Sequence, residues 1–339
     1  MALPSIFDQG WADPSKLGQD ARSTSILVNE ARETIASHLG IRSDELFFLG
    51  EPNLGFYLGI QGLQNMQKGG RCFYSSIDKM EIAAIAQKEK EYYQLNVDLQ
   101  GQINQSDLTD ATADDLLCWQ LANGETGVYQ KEPPHFPGSI FIDATSSGTA
   151  LPLPENWSTA LWDSRSWQGP SGLGIFAKST SARWSYPLPH LDNRNVPNSA
   201  SPALIIASAL AIDSFVAESK RQAEKIADFN KHIRDFLIRE IGDCDIAGNA
   251  QNTLPSQLSF SFLYIDAERL VHALSERGFA VDSGSACQSA NLEPSHVLAA
   301  MGLLTHGNVR ITLKNSTTSE EVDGLCQALK ELVLAQRAE

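Results

Sequence analysis

The sequence of 339 residues has few basic side chains and no long apolar run. Lysine and arginine together number 26, against 41 aspartates and glutamates, so the formal net charge is −15 at pH 7. Nucleic acids and anionic membrane surfaces both require clustered positive charge, so this balance disfavours them as partners. The longest apolar run, residues 203–212, is about half the length that a membrane-spanning helix needs.

The sequence also lacks paired cysteines and metal-binding motifs. Its cysteines are odd in number and contain no C-x-x-C pair: Cys72, Cys118, Cys244, Cys287 and Cys326. This pattern argues against a disulfide framework or a zinc site. The histidines have no metal-ligand spacing, and the N-terminal residues do not resemble a secretory signal. We therefore expect a soluble, cytoplasmic protein without a metal site.

What the sequence does contain is an alternation of short apolar segments and amphipathic helices. Up to about residue 200, this alternation predicts a mainly parallel α/β sheet with helices on both faces. One of these helices is predicted over residues 80–93. Beyond residue 200, a long helix over 201–241, an alternating strand at 257–265 and two further helices predict a smaller α+β domain.

The segment with the clearest chemical meaning surrounds Cys287. This cysteine lies in a run of glycine, serine and alanine, which predicts an exposed loop, and a helix start follows at Glu293-Pro294-Ser295. An exposed thiol of this kind can act as a nucleophile or a sulfur carrier, in its thiolate form. From spacing alone, the alternative is that Cys287 is simply a small residue in a tight loop.

Several motifs resemble those of the cysteine desulfurases, which belong to the class V aminotransferase family. The loop SGSACQSANLEPSHVL resembles the family's catalytic-cysteine loop, and NVRITLKNSTTSEEVD resembles its R-x-S-L-G-R-x-T-T-x-E-E-x-D stretch. Upstream, ANGETGVYQ, FIDATSSG and QGPSGLGIF resemble three further family motifs in the same order. The resemblance runs from about residue 13 to residue 323.

This resemblance implies a fold-type I pyridoxal 5′-phosphate (PLP) transferase architecture. We expect a large domain over 15–220 with a mainly parallel, seven-stranded-type sheet flanked by helices. Residues 1–14 and 221–339 would form a small α+β domain. The resemblance also implies a homodimer, PLP as the cofactor, and a possible sulfur-transfer or Fe–S assembly partner.

The resemblance assigns roles to individual residues. Cys287 matches the cysteine that carries the persulfide, and Arg310 matches the arginine that binds the substrate carboxylate through paired hydrogen bonds. Asn123 falls in a substrate-binding motif. Asp143 matches the carboxylate that pairs with the pyridine nitrogen of PLP.

Other positions depart from the family pattern. The family motif S-x-H-K, whose lysine forms the Schiff base, aligns with Asp163, Ser164, Arg165 and Ser166. A serine hydroxyl cannot form an imine. The remaining departures also fall at cofactor contacts: Asp78 or a near neighbour stands for the stacking histidine, Ser146 for a glutamine, and residues 50–54 (GEPNL) for the phosphate-binding loop.

Three functions follow from this mixture of matches and departures. The first is a cysteine desulfurase-like protein that has lost PLP-dependent catalysis and retains the Cys287 loop as a sulfur acceptor, a scaffold or a regulatory element. The second is an active desulfurase or aminotransferase that uses non-covalent PLP. The third is a protein that binds a small anion, with Arg165 and Arg310 as carboxylate or phosphate ligands.

Overall fold

The structure is a computed structural model that describes residues 12–67, 69–133, 135–190, 200–283 and 294–339. The chain divides into two compact units. The first comprises Met1–Leu95, Gln105–Leu121 and Glu132–Glu218, and the second comprises Asn96–Asn104, Ala122–Lys131 and Ser219–Glu339. The domain limits expected from the sequence remain a prediction.

The first unit is built on a mixed sheet that has seven strands in the described part of the chain. Along the chain its elements are α1 (Gln19–Leu39), β1 (Leu46–Leu49), α2 (Leu54–Gln64), β2 (Cys72–Ser75), α3 (Met80–Ala86), β3 (Tyr92–Leu95), β4 (Leu116–Gln120), β5 (Ser139–Asp143), β6 (Thr159–Asp163) and β7 (Gly174–Lys178). The strand order is β1-β7-β6-β5-β4-β2-β3, and β7 runs antiparallel to the other six described strands. The mainly parallel sheet expected from the sequence is therefore confirmed.

Short apolar runs form the centre of this sheet because both of its faces are covered. Every residue of β4 and β6 is buried. Helix α2 lies directly on the sheet: a Cβ on Gly55 would come within 2.3 Å of the Leu161 side chain, and one on Gly59 within 2.5 Å of the Phe141 ring. This close approach holds the loop between β1 and α2 at the edge of the sheet.

The second unit contains an antiparallel sheet of three strands among the described residues, in the order β10-β9-β8. Its elements are the C-terminal part of α4 (Pro202–Phe236), a π-helical turn (Leu237–Ile241), β8 (Cys244–Ile246), β9 (Gln257–Phe262), α5 (Ala267–Glu276), α6 (His296–Ala300), β10 (Asn308–Thr312) and α7 (Ser319–Arg337). Apolar residues of β9, β10, α5 and α7 form one core cluster. Helix α7 begins at a capping box in which Thr318 and Glu321 exchange hydrogen bonds.

The helix predicted over residues 80–93 is wrong beyond Ala86. Helix α3 ends there, and Tyr92–Leu95 instead form β3, which pairs in parallel with β2. The intervening lysines and glutamates interrupt the apolar periodicity, and the tyrosines that follow favour a strand.

Helix α4 with its π-helical turn includes an 18-residue window of mean hydropathy 1.5, of which 28% is buried. Length and composition would allow this helix to cross a membrane. One such helix is weak evidence for a membrane span, because long helices of soluble proteins pass the same test.

Candidate functional site

The carboxyl ends of β2, β4 and β5 meet at one edge of the large sheet, because these strands are parallel neighbours. Asp143 is the last residue of β5, and its side chain is only 3% exposed. Lys79, which directly precedes α3, places its Nζ atom 3.6 Å from Asp143 Oδ2. This ammonium group also donates a hydrogen bond to the Thr145 hydroxyl and lies 5.3 Å from the centre of the Phe56 ring.

Thr145 completes the surroundings of Asp143. Its backbone N–H donates to Asp143 Oδ1 over 2.9 Å, and its hydroxyl donates to the same oxygen over 2.5 Å. One carboxylate oxygen therefore accepts two hydrogen bonds while the other faces an ammonium group. Hydrogen bonds and opposite charge together stabilise a buried carboxylate that would otherwise be costly.

Asp78 lies at the same edge and is completely buried. Its Oδ2 accepts a hydrogen bond from the Ser75 backbone N–H over 2.6 Å, and its Oδ1 accepts one from Gln120 Nε2 over 2.7 Å. Burial raises the pKa of Asp78 to about 8; the charge of Asp143 adds to the rise, and the hydrogen bonds and Lys79 oppose it. This position is where the resemblance places a stacking histidine.

The segment matching the Schiff-base motif forms a short 3₁₀ turn after β6 (Ser164–Trp167). Asp163 caps this turn and binds Arg165, whose Nε and Nη2 atoms lie 2.9 and 2.6 Å from Asp163 Oδ2. Ser164 is buried, and its hydroxyl donates to the Ser208 hydroxyl over 2.8 Å. The Ser166 hydroxyl donates to the Asp163 carbonyl oxygen over 2.7 Å.

Ser146 and Gly148 belong to the loop that follows β5, and Ser146 is half-buried. A Cβ on Gly148 would approach Ser166 Oγ to 2.7 Å, so this loop lies directly against the turn that contains Ser166. The structure therefore brings together the loop that follows Asp143 and the turn that contains Ser166.

The resemblance matches the loop that precedes α2 with the family's phosphate-binding loop. Here the Glu51 carboxylate accepts a hydrogen bond from the Asn53 backbone N–H over 3.0 Å. The next three backbone N–H groups donate within the same segment: Leu54 to the carbonyl of Glu51, Gly55 to that of Pro52, and Phe56 to that of Asn53. These donors, which could bind an anion at a helix start, are thus engaged within the loop.

Arg310 and Asn123 both belong to the second unit. Arg310 Nη2 lies 2.7 Å from Asp282 Oδ2 and also donates to the Ser283 carbonyl over 3.2 Å. Its Nε is buried with no hydrogen-bond partner in the part of the chain that the structure describes. Asn123 is buried, and its Oδ1 accepts hydrogen bonds from the backbone N–H groups of Glu125 and Thr126.

Cys287, the predicted sulfur-carrying residue, lies outside the described residues. The other cysteines are all described. Cys72, Cys118 and Cys326 are buried, and Cys244 is half-buried. Burial raises the pKa of the Cys118 and Cys244 thiols, and it raises that of Cys326 to about 12.

Known families and proteins that are similar to this chain agree with the resemblance seen in its motifs. A family model described as aminotransferase class V matches residues 198–325. A cysteine desulfurase IscS from Dictyoglomus turgidum is 28% identical, covering 98% of this chain and 90% of the relative. A cysteine desulfurase from a Nostoc species is 27% identical, covering 99% of this chain and 89% of the relative.

These matches support the resemblance to the class V aminotransferase family.

Solved structures show that this chain shares the NifS-like fold. A NifS-like protein from Rickettsia africae superimposes with a TM-score of 0.83 at 19% identity, covering 98% of this chain and 94% of the other. An apo cysteine desulfurase from Thermococcus onnurineus gives a TM-score of 0.81 at 16% identity, covering 98% and 91% of the two chains.

The family is PLP-dependent, so the matching residues can be tested against that cofactor. They do not fit a Schiff-base-bound PLP. Ser166 offers no amine, Asp143 already faces the Lys79 ammonium, and the N–H groups at the start of α2 are bonded within their loop. The aldehyde and the ring nitrogen of PLP lie at opposite ends of the ring, so a lysine held at Asp143 is misplaced for forming the imine.

The sequence did not predict three of the partners found in the structure: Lys79 for Asp143, Asp282 for Arg310 and the Glu51 carboxylate for the start of α2. The Glu51 carboxylate adds a negative charge to this loop, and it also accepts a hydrogen bond from the Asn53 backbone N–H. The pairing of Arg165 with Asp163 and of Arg310 with Asp282 likewise means that neither guanidinium is an unpaired anion ligand. The two-residue spacing of Asp163 and Arg165 was the available signal for that pair, whereas Asp282 meets Arg310 only through a β-bridge.

Proposed function

We propose that this protein is a cysteine desulfurase-like member of its family that has lost PLP-dependent catalysis and uses Cys287 as a sulfur acceptor. The observation that carries the proposal is Ser166. At the position matching the Schiff-base lysine, its hydroxyl is turned back onto the Asp163 carbonyl oxygen. Without an amine at that position, the bond that anchors PLP in its relatives cannot form there.

The chemistry left to such a protein is sulfur transfer without a cofactor. The Cys287 thiolate attacks the outer sulfur of a persulfide donor, a new sulfur–sulfur bond forms to Cys287, and the donor's sulfur–sulfur bond breaks. The donor leaves as a thiolate, so no net oxidant or reductant is needed. The proposal also includes a cytoplasmic homodimer that passes sulfur to, or acts as a scaffold for, an Fe–S assembly or other sulfur-transfer partner, in keeping with the family resemblance.

Purified protein should be colourless and should leave added PLP in the dialysate. The physical reason is that its three expected anchors are a serine, a carboxylate paired with Lys79 and a helix start bonded to Glu51. The measurement is a visible absorbance spectrum before and after incubation with PLP and dialysis, with an active cysteine desulfurase as the control.

The opposite result has two forms. A retained band that borohydride reduces, with the label mapped to a lysine, would mean that another lysine replaces the lost one. A retained cofactor without a reducible bond would support an enzyme that uses non-covalent PLP. Either result contradicts the proposed loss of the cofactor.

A further inference from the structure

The Asp143 carboxylate receives from within the chain everything that a cofactor ring would supply. A pyridinium group offers a carboxylate one positive charge and one N–H donor. Lys79 offers a positive charge 3.6 Å from Oδ2, and its ammonium is linked through the Thr145 hydroxyl to Oδ1. The carboxylate is 3% exposed, so a nearby cation matters far more there than at the surface.

Lys79 is held in this position by neighbours of a kind that favour a cation. Its Nζ lies over the face of Phe56, a residue of α2, and aromatic faces attract ammonium groups. The buried Asp78, directly before Lys79 in sequence, has a pKa raised to about 8 and is mostly protonated at neutral pH. Asp143 is therefore the carboxylate whose charge Lys79 compensates.

The start of α2 shows the complementary arrangement. A helix start attracts anions because its first N–H groups lack helical partners and its dipole is positive there. Glu51 supplies that anion, since its carboxylate accepts the Asn53 N–H over 3.0 Å. Pro52 contributes no N–H at all, and the donors of Leu54, Gly55 and Phe56 bind carbonyl oxygens of the same segment.

We infer that Lys79 and Glu51 are internal replacements for the two charged ends of PLP: the Lys79 ammonium stands in for the ring nitrogen at Asp143, and the Glu51 carboxylate stands in for the phosphate at the start of α2. The inference rests on the proposed function, because it explains how the fold remains stable once the cofactor is lost. A site that merely lost its ligand would keep a buried, uncompensated carboxylate at Asp143.

A double-mutant cycle on Lys79 and Asp143 tests the first replacement. Lys79→Met keeps the length of the side chain but removes its charge, leaving the buried carboxylate without its cation. We expect Tm to fall by about 5 °C. Asp143→Asn should also lower Tm, because its amide group would face the ammonium. The double variant should recover at least half of the summed loss, because no unpaired charge remains.

Lys88→Met is the matched control, since Lys88 is exposed, and its Tm should equal that of the unchanged protein. If the two single losses simply add in the double variant, Lys79 and Asp143 are not coupled and the inference is wrong. That outcome is separable from failure of the proposed function. Retention of PLP by the unchanged protein overturns the proposed function, whereas additivity in a protein that binds no PLP overturns the inference alone.

Inorganic phosphate tests the second replacement. Glu51→Ala removes the internal anion and frees the Asn53 N–H, so millimolar phosphate should raise the Tm of this variant relative to chloride at equal ionic strength. The unchanged protein and a Glu81→Ala control, which alters an exposed residue of α3, should show no such rise. If phosphate raises the Tm of the unchanged protein equally, the helix start is already open to anions. If phosphate does not raise the Tm of Glu51→Ala, Glu51 does not block an anion site. Either result contradicts the inference.

Discussion

A low-molecular-weight persulfide should place sulfane sulfur on Cys287 and on no other cysteine of this protein. Substitution Cys287→Ser should remove the label almost completely, whereas Cys244→Ser should leave it intact. The measurement is mass spectrometry of the alkylated, digested protein after treatment with glutathione persulfide. The basis is selectivity: the nucleophile in this exchange is the thiolate, so the thiols with raised pKa values react slowly.

The cysteines other than Cys287 differ in burial and in how far their pKa is raised, and therefore in how slowly each should react. A pKa of about 12 at Cys326 leaves a thiolate fraction below roughly one in ten thousand at neutral pH. Burial also raises the pKa of Cys118, and Cys72 is buried beside it in the sheet. Cys244 is the most accessible of the four and is therefore the informative control.

Sulfur on Cys244, or an unlabelled Cys287 under conditions that label free glutathione, would contradict the assignment. The first result would mean that accessibility alone governs the reaction. The second would mean that the Cys287 segment retains its sequence likeness without its reactivity, which would leave the scaffold or regulatory form of the proposal.

Much of the fold could be predicted from the sequence because its determinants are local. The buried strands β4, β5 and β6 are continuous apolar runs, and the long helix α4 has an unbroken helical pattern. The direction of β7 could not be predicted in this way, because an apolar run carries the same pattern in either direction. The helix predicted over residues 80–93 was too long for a related reason: two tyrosines after a charged stretch suit either a helix end or an edge strand such as β3.

The candidate site also has a part that the sequence predicts and a part that it does not. Family motifs predicted Asp143 and Ser166 as positions of interest, and their strand-end and turn locations follow from the chain around them. The pairing of Lys79 with Asp143 depends on β2 and β5 being separated by a single strand in the sheet, which no local pattern encodes. Glu51 and Asn53 are only two residues apart in sequence. Their hydrogen bond was not predicted because it depends on the backbone conformation of the loop.

Raising the pH from 5 to 8 should destabilise the unchanged protein relative to the Asp78→Asn variant. Asp78 has a folded-state pKa of about 8, above its ordinary value of 3.8, so the folded state binds a proton more tightly than the unfolded state. The stability contributed by that proton is complete below about pH 4 and is lost as the pH rises towards 8. The limiting slope for one proton is about 1.4 kcal/mol per pH unit, or roughly 2–4 °C in Tm.

Asparagine at this position keeps the shape of the protonated acid and does not titrate. Its carbonyl oxygen can accept the Ser75 N–H, and its amide group can donate to Gln120 once that side chain is flipped. The difference in Tm between the two proteins should therefore move steadily in favour of the variant between pH 5 and 8. Asp114→Asn, at an exposed carboxylate, should run parallel to the unchanged protein. A parallel course for Asp78→Asn would mean that Asp78 stays ionised throughout, with Lys79 serving both carboxylates at this edge of the sheet.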